Sequence, residues 1–132
     1  MDKERLKEYI WIKANIKELQ DRLLEIDTKL QHITSNLDAD KVQTTKNNDQ
    51  WTALIQQRIE IHELINAEIT QGLKQMAFIE KVIAKQPERE KRLMRLRYIQ
   101  GKKWEEICVD MNYSWVQIHD IHSKILKRII TE

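Results

Sequence analysis

Glycine and proline are nearly absent from this chain: two glycines and one proline occur in 132 residues. A β-rich fold needs turn residues at many corners, so the composition argues against one and for long helices with few connections. One cysteine excludes an intramolecular disulfide and fits a reducing compartment. No apolar run approaches the roughly 20 residues needed to span a bilayer. The first residues, MDKERLKEY, are charged throughout and carry no apolar segment of a signal peptide. A cytoplasmic protein is expected. Neither sign of charge dominates, since the formal net charge is +2. Its distribution is uneven, however. Residues 1–84 hold 12 Lys/Arg against 14 Asp/Glu, whereas residues 85–132 hold 11 against 7. The basic excess lies in the C-terminal third, which points to a polyanion partner there.

What is present is helical periodicity. Tyr9, Ile12, Ile16, Leu19, Leu23, Ile26, Leu30, Ile33 and Leu37 alternate in steps of three and four. This is the seam of a coiled coil, and a helix of this kind needs a partner to bury it. Residues 34–50, TSNLDADKVQTTKNNDQ, lose the period and are rich in Asn, Asp and Thr. A loop is expected there, with Asn48 or Asp49 capping the next helix. A second stripe follows: Trp51, Leu54, Ile55, Ile61, Ile65, Ile69, Leu73, Met76, Ile79 and Ile83. At about 100° per residue these fall within one third of the helix circumference and form the core partner of the first seam. Ile59, Leu64, Phe78 and Val82 lie outside the stripe. They are left to cover either the C-terminal part or a second subunit.

Gln86-Pro87 ends the second helix, and Pro87 suits the first turn of a new one. Leu93, Leu96 and Ile99 give that helix an apolar face, and Gly101 suits its C-terminal cap. A short helix, WEEICVDM, turns Trp104, Ile107, Cys108 and Met111 inward and places Glu105 and Glu106 in its first turn. After the three residues NYS, Ser114 and Gln117 form a capping box for a last helix with Ile118, Ile121, Ile125 and Ile129 on its core side. A short helix, a tight turn and a capped helix make a helix-turn-helix. The expected fold is all-α: a long antiparallel helical hairpin over residues 1–85, then a three-helix domain over residues 86–132.

His119 and His122 share a flank of the last helix, with Asp120 between them and Cys108 upstream. These are ligand types for a transition metal, but Cys108 faces inward and Asp120 lies on another side. A zinc site needs about four converging ligands. No metal or other cofactor is expected, and no nucleophile–base–orienter set supports an enzyme. His119 is either a plain solvated residue or a contact to a phosphate or base edge. His122 belongs to the edge of the helix packing.

The segment LMRLRYIQGKKWEEICVDMNYSWVQIHDIHSKILKRI resembles region 4 of bacterial sigma factors, which reads promoter DNA. It is closer still to a family of small phage and prophage proteins that carry a sigma-region-4-like tail behind a long helical part. Those proteins are similar to phage late-transcription regulators. The resemblance covers residues 88–130 and implies a double-stranded DNA partner, with host RNA polymerase as a second. On this reading Ser114, Trp115, Val116, Gln117, His119 and Asp120 open the recognition helix toward the major groove. Ser123, Lys124, Lys127 and Arg128 suit phosphates, as do Lys102 and Lys103 ahead of the preceding helix. One departure stands out: members of the phage family carry Arg where this chain has Val116 and Asp120. Two rival readings follow. The chain is a coiled-coil interaction protein whose helix-turn-helix is only packing, or a decoy that binds polymerase without touching DNA. A homo-oligomer formed through the hairpin is expected from the off-stripe apolar residues.

Overall fold

A computed structural model of the chain describes residues 3–36 and 44–131, and every secondary-structure element among them is helical. Helix α1 spans Lys3–Asn36, α2 Thr44–Ala84, α3 Glu88–Met94, α4 Trp104–Met111 and α5 Trp115–Thr131. A π-helical turn, Arg95–Ile99, continues α3. None of these helices is long and apolar enough to cross a membrane.

The loop expected at 34–50 is shorter in the structure. Residues 34–36 belong to α1 and 44–50 to α2, so Asn48 and Asp49 lie inside a helix and cap nothing. Residues 37–43 lie outside the described residues, as does the seam position Leu37. The physical reason is visible in the hydroxyls. Thr34 and Ser35 donate to the carbonyls of Leu30 and Gln31, and Thr52 donates to that of Asn48, each at 2.9 Å. Side chains that would otherwise pull the backbone into turns are satisfied by the preceding helical turn.

The chain divides into two compact units: Ala14–Thr70, and Met1–Lys13 together with Gln71–Glu132. In the first of these, Ile26, Ile33, Leu54, Ile61 and Ile65 are buried, with Leu19, Leu23 and Leu30 packed against them. Arg58 Nε meets Asp27 Oδ1 at 2.8 Å. Both side chains are about two-fifths exposed, so this pair orients more than it stabilises. Trp51 and Ile69, read as core, are exposed. They lie about 60° around the helix from the line of Leu54, Ile61 and Ile65. The covered strip is therefore narrower than the apolar stripe. Ile59 and Leu64 are exposed as well.

The other unit holds the C-terminal helices and takes in residues from both long helices. Its core joins Leu6 of α1 and Ile79, Val82 and Ile83 of α2 to Leu93, Met94, Leu96 and Tyr98. Ile107 of α4 and Ile118, Ile121, Ile125 and Ile129 of α5 complete it. Phe78 and Val82, off the main stripe of α2, thus cover the C-terminal helices. Leu73, on the stripe, is 64% exposed. The segment from α3 through the π-helical turn is the enclosed one: Glu90, Leu93, Met94, Leu96 and Tyr98 are all buried.

Local chemistry sets the breaks. Pro87 takes the cap position of α3 rather than its first turn, with its carbonyl accepting from Lys91 N at 2.9 Å. The wide turn is closed by Gln100 N donating to the Arg95 carbonyl at 2.9 Å. Gly101 then adopts φ +70°, and a Cβ there would stand 3.2 Å from Ile10 Cδ1. Asn112 ends α4 in the left-handed region, which Asn tolerates better than most residues. Ser114 and Gln117 cap α5 reciprocally, at 2.9 and 3.2 Å.

Leu6, 0% exposed, contributes more to this core than any seam position of α1 after it. Leu6→Ala should lower the stability of the unit by about 2–5 kcal/mol. Leu24→Ala, at an exposed position in the other unit, should change it by less than about 0.5 kcal/mol. Denaturant unfolding of the two variants measures both.

Candidate nucleic-acid interface

With Ile118, Ile121, Ile125 and Ile129 buried, the opposite face of α5 is fixed by the helical period. It presents Val116, Asp120, Ser123, Lys124 and Lys127, all exposed, and Val116 is 77% exposed. Trp115, 51% exposed, sits at one flank of this face. Gln117 is exposed, but its Oε1 accepts from Ser114 N in the capping box. That bond leaves its amide nitrogen and the second lone pair of Oε1 unused. Ser114 is occupied in the same way, since its Oγ accepts from Gln117 N.

Several of the expected phosphate ligands have partners within the chain. Lys124 Nζ lies 3.1 Å from Asp120 Oδ2 on the exposed face. Lys102 Nζ lies 2.8 Å from Asp110 Oδ2, and this hydrogen bond holds the Asp110 carboxyl below its ordinary range. These exposed pairs exchange readily for other partners. Arg128 is different. Its Nη2 meets Glu90 Oε1 at 2.5 Å, and Glu90 is a buried carboxylate of α3. Arg128 therefore ties α5 to α3, a structural role beside the phosphate contact expected of it. Lys103 is exposed, and its backbone N donates to Glu106 Oε2 at the start of α4.

The flank of α5 carries an aromatic cluster. The His119 ring stands 4.4 Å from that of Trp115 and 4.8 Å from that of Trp104. Its Nε2 is enclosed and has no hydrogen-bond partner among the described residues. His119 is thus neither plainly solvated nor aimed by that nitrogen at a groove. The i, i+4 spacing of Trp115 and His119 was the available signal for half of this stack. The Arg97 guanidinium lies 4.4 Å from the centre of the Trp104 ring, a cation–π contact with no sequence signature.

His122 is buried beneath the cluster, with its ring 4.6 Å from Trp104. Tyr98 Oη and His122 Nε2 are 2.5 Å apart. Burial pushes the Tyr98 phenol up to about 12, so it keeps its proton. Burial, with the charges of Lys3 and Arg97, pushes His122 down to about 4. Tyr98 therefore donates and the neutral imidazole accepts, which places the His122 proton on Nδ1. Among the described residues no group of three or more His, Cys, Asp or Glu side chains converges as a metal site would. Cys108 is half-buried against the core.

No protein-family model matches the chain, and no curated protein or solved structure matches it significantly.

Two outcomes follow from the buried polar groups. Because the folded pKa of His122 lies below its ordinary 6.5, the folded state resists protonation. Stability is full above pH 6.5 and declines as pH falls toward 4. Between about pH 7 and 5, above most carboxylate titrations, the loss should be on the order of 2 kcal/mol. Chemical unfolding across that range should show this slope, and His122→Gln should flatten it.

Arg128→Ala should destabilise the domain by about 1–3 kcal/mol, because it leaves Glu90 buried without this cation. Adding Glu90→Gln should recover part of that loss, as a thermal melt of the double variant would report.

Proposed function

We propose that the chain is a phage-type transcription regulator that binds double-stranded DNA through a sigma-region-4-like helix-turn-helix formed by α4 and α5. The observation that carries this reading is the three-residue connection 112–114. Left-handed Asn112 and the Ser114–Gln117 box start α5 at a fixed position, with Val116, Asp120, Ser123, Lys124 and Lys127 turned outward. A polar outer face on a rigidly capped helix is what a major-groove reader requires. Lys124 and Lys127 are assigned to phosphates, while Trp115, Val116, Gln117 and Asp120 are assigned to the groove. Asp120 suits cytosine N4 and Val116 a thymine methyl.

The long helices support an antiparallel hairpin in front of this domain. Gln75 hydrogen-bonds to Glu8, and a Cβ on Gly72 would meet Ile12. In the other unit Arg58 pairs with Asp27. Residue 8 faces 75 and residue 12 faces 72, the opposed order that an antiparallel pair requires. Exposed Ile59 and Leu64 support a homo-oligomer through the hairpin, which would match a two-fold DNA site. RNA polymerase as a partner rests on the resemblance of residues 88–130 alone.

One observation favours a second reading, a polymerase-binding decoy that leaves DNA untouched. Lys124, Lys102 and Arg128 each have a carboxylate partner within the chain, which subtracts from the attraction that dominates DNA affinity.

Asp120→Arg separates the two. It removes an exposed ion pair worth at most about 1 kcal/mol, so the thermal midpoint should hardly move. If α5 faces DNA, fluorescence anisotropy should show tighter binding to all duplexes, and the salt slope should steepen by about 0.9. Trp115→Ala and Val116→Ala should instead change which sequence is preferred, by roughly 1–3 kcal/mol per contact. Unchanged, salt-insensitive duplex binding across all three variants would rule out the DNA-binding reading.

A further inference from the structure

A cleft of about 280 Å³ opens beside the C-terminal helices, lined by Lys7, Ile10 and Trp11 of α1 and by Arg97, Tyr98 and Gly101. Two of these six residues carry cations and none carries a carboxylate. Trp11, one of the lining residues, is 52% exposed. Lys13 stands nearby, with its Nζ donating to the Ile99 carbonyl at 3.1 Å.

The cleft is joined to the start of α5 by a chain of ring contacts. Trp115 touches His119, His119 touches Trp104, and Arg97 lies over Trp104, each step under 5 Å. Arg97 also donates to the Lys102 carbonyl at 3.0 Å, so the cleft abuts the residues that lead into α4. The result is a strip of aromatic rings and cations with an exposed tryptophan at each end. Cations for the backbone and rings for sugars and bases are the combination that nucleic-acid surfaces use. The buried imidazole of His122 registers the same field: Lys3, Lys7 and Arg97 all disfavour its protonation.

We propose that the Lys7–Arg97 cleft holds a phosphate group, supplied by the backbone of the duplex that α5 reads. The source rests on the proposed function above, whereas the phosphate chemistry rests on the cleft alone. Arg97 is held in place by the Lys102 carbonyl and the Trp104 ring, so it is pre-organised as an anion donor. Lys7 pairs loosely with Glu4, at 3.9 Å, and can turn to a ligand. Trp11 then lies against the adjoining sugar. The footprint on DNA would thereby include the first turns of α1, beyond the helix-turn-helix itself.

The test uses the full chain with Lys7→Ala, Lys7→Glu and, as a reference, Lys127→Ala. Lys7 is a partly exposed helical position, so alanine there preserves the fold. Binding to a mixed-sequence DNA duplex is followed by anisotropy against salt. Lys7→Ala should lower the slope by about 0.9 and weaken all duplexes alike, and Lys7→Glu should weaken them further. If Lys127→Ala lowers the slope while both Lys7 variants bind as wild type, the cleft proposal fails and the regulator reading survives. If wild type shows no salt-dependent duplex binding, the regulator reading fails. Inorganic pyrophosphate then decides the cleft, read by the backbone amide shifts of residues 97–102. A saturable shift lost in Lys7→Ala keeps the phosphate chemistry with a free ligand as its source, and no shift overturns it.

Discussion

The face of α5 that carries Ile118, Ile121, Ile125 and Ile129 has to be covered, and what covers it determines the rest of the domain. Helices α3 and α4 are too short to bury a 17-residue helix and each other at once. Leu6 of α1 and Ile79, Val82 and Ile83 of α2 complete the enclosure. Each fully buried Ile or Leu is worth roughly 1.5–3 kcal/mol, so the segments beyond α3–α5 supply a large share of the domain's apolar burial. The exposed face of α5 is thus a consequence of packing on its other side. Its outward residues are set by the period from four buried isoleucines.

Buried polar groups then fix the register of that packing. An apolar core alone tolerates sliding by a turn, whereas a buried carboxylate or imidazole tolerates no position without its partner. Glu90 with Arg128 ties α3 to the last turns of α5. Tyr98 with His122 ties the π-helical turn to its middle. The reciprocal Ser114–Gln117 cap settles its start. Three polar constraints along one helix hold its rotation and translation, and so fix where its outward side chains stand.

Local features were the ones legible in the sequence. The all-helical class follows from the scarcity of glycine and proline, and the α5 cap from an S-x-x-Q spacing that is chemically self-contained. The inward side of α4 was equally readable, because Trp104, Ile107, Cys108 and Met111 recur at the helical period. What escaped was non-local or a matter of degree. Glu90 and Arg128 are 38 positions apart, and nothing in either neighbourhood announces the other. Leu6 precedes the clean heptad seam and is recruited by a core from the far end of the chain. Trp51, Ile69 and Leu73 fit the stripe by angle and yet remain exposed, since periodicity gives direction around a helix but not the width of the partner. Residues 34–36 misled because Thr and Ser serve turns and helix interiors alike once their hydroxyls find a carbonyl one turn back, as those of Thr34 and Ser35 do.

The same distinction bears on the basic residues of residues 85–132. Formal charge counts every lysine and arginine equally, but a polyanion sees only those whose partners can be exchanged. The Lys124–Asp120 and Lys102–Asp110 pairs are exposed, and a phosphate can replace the carboxylate at little cost. Arg128 cannot leave Glu90 without stranding a buried anion. Arg97 belongs to a third class, fixed by a carbonyl and a ring that neutralise none of its charge. Among the described residues no carboxylate forms an ion pair with Arg97, and a guanidinium held in this way orders itself on folding rather than on binding, so its entropy is already lost when a ligand arrives. That is why the cleft beside Arg97, with its lower count of cations than α5, is the better-prepared place for an anion.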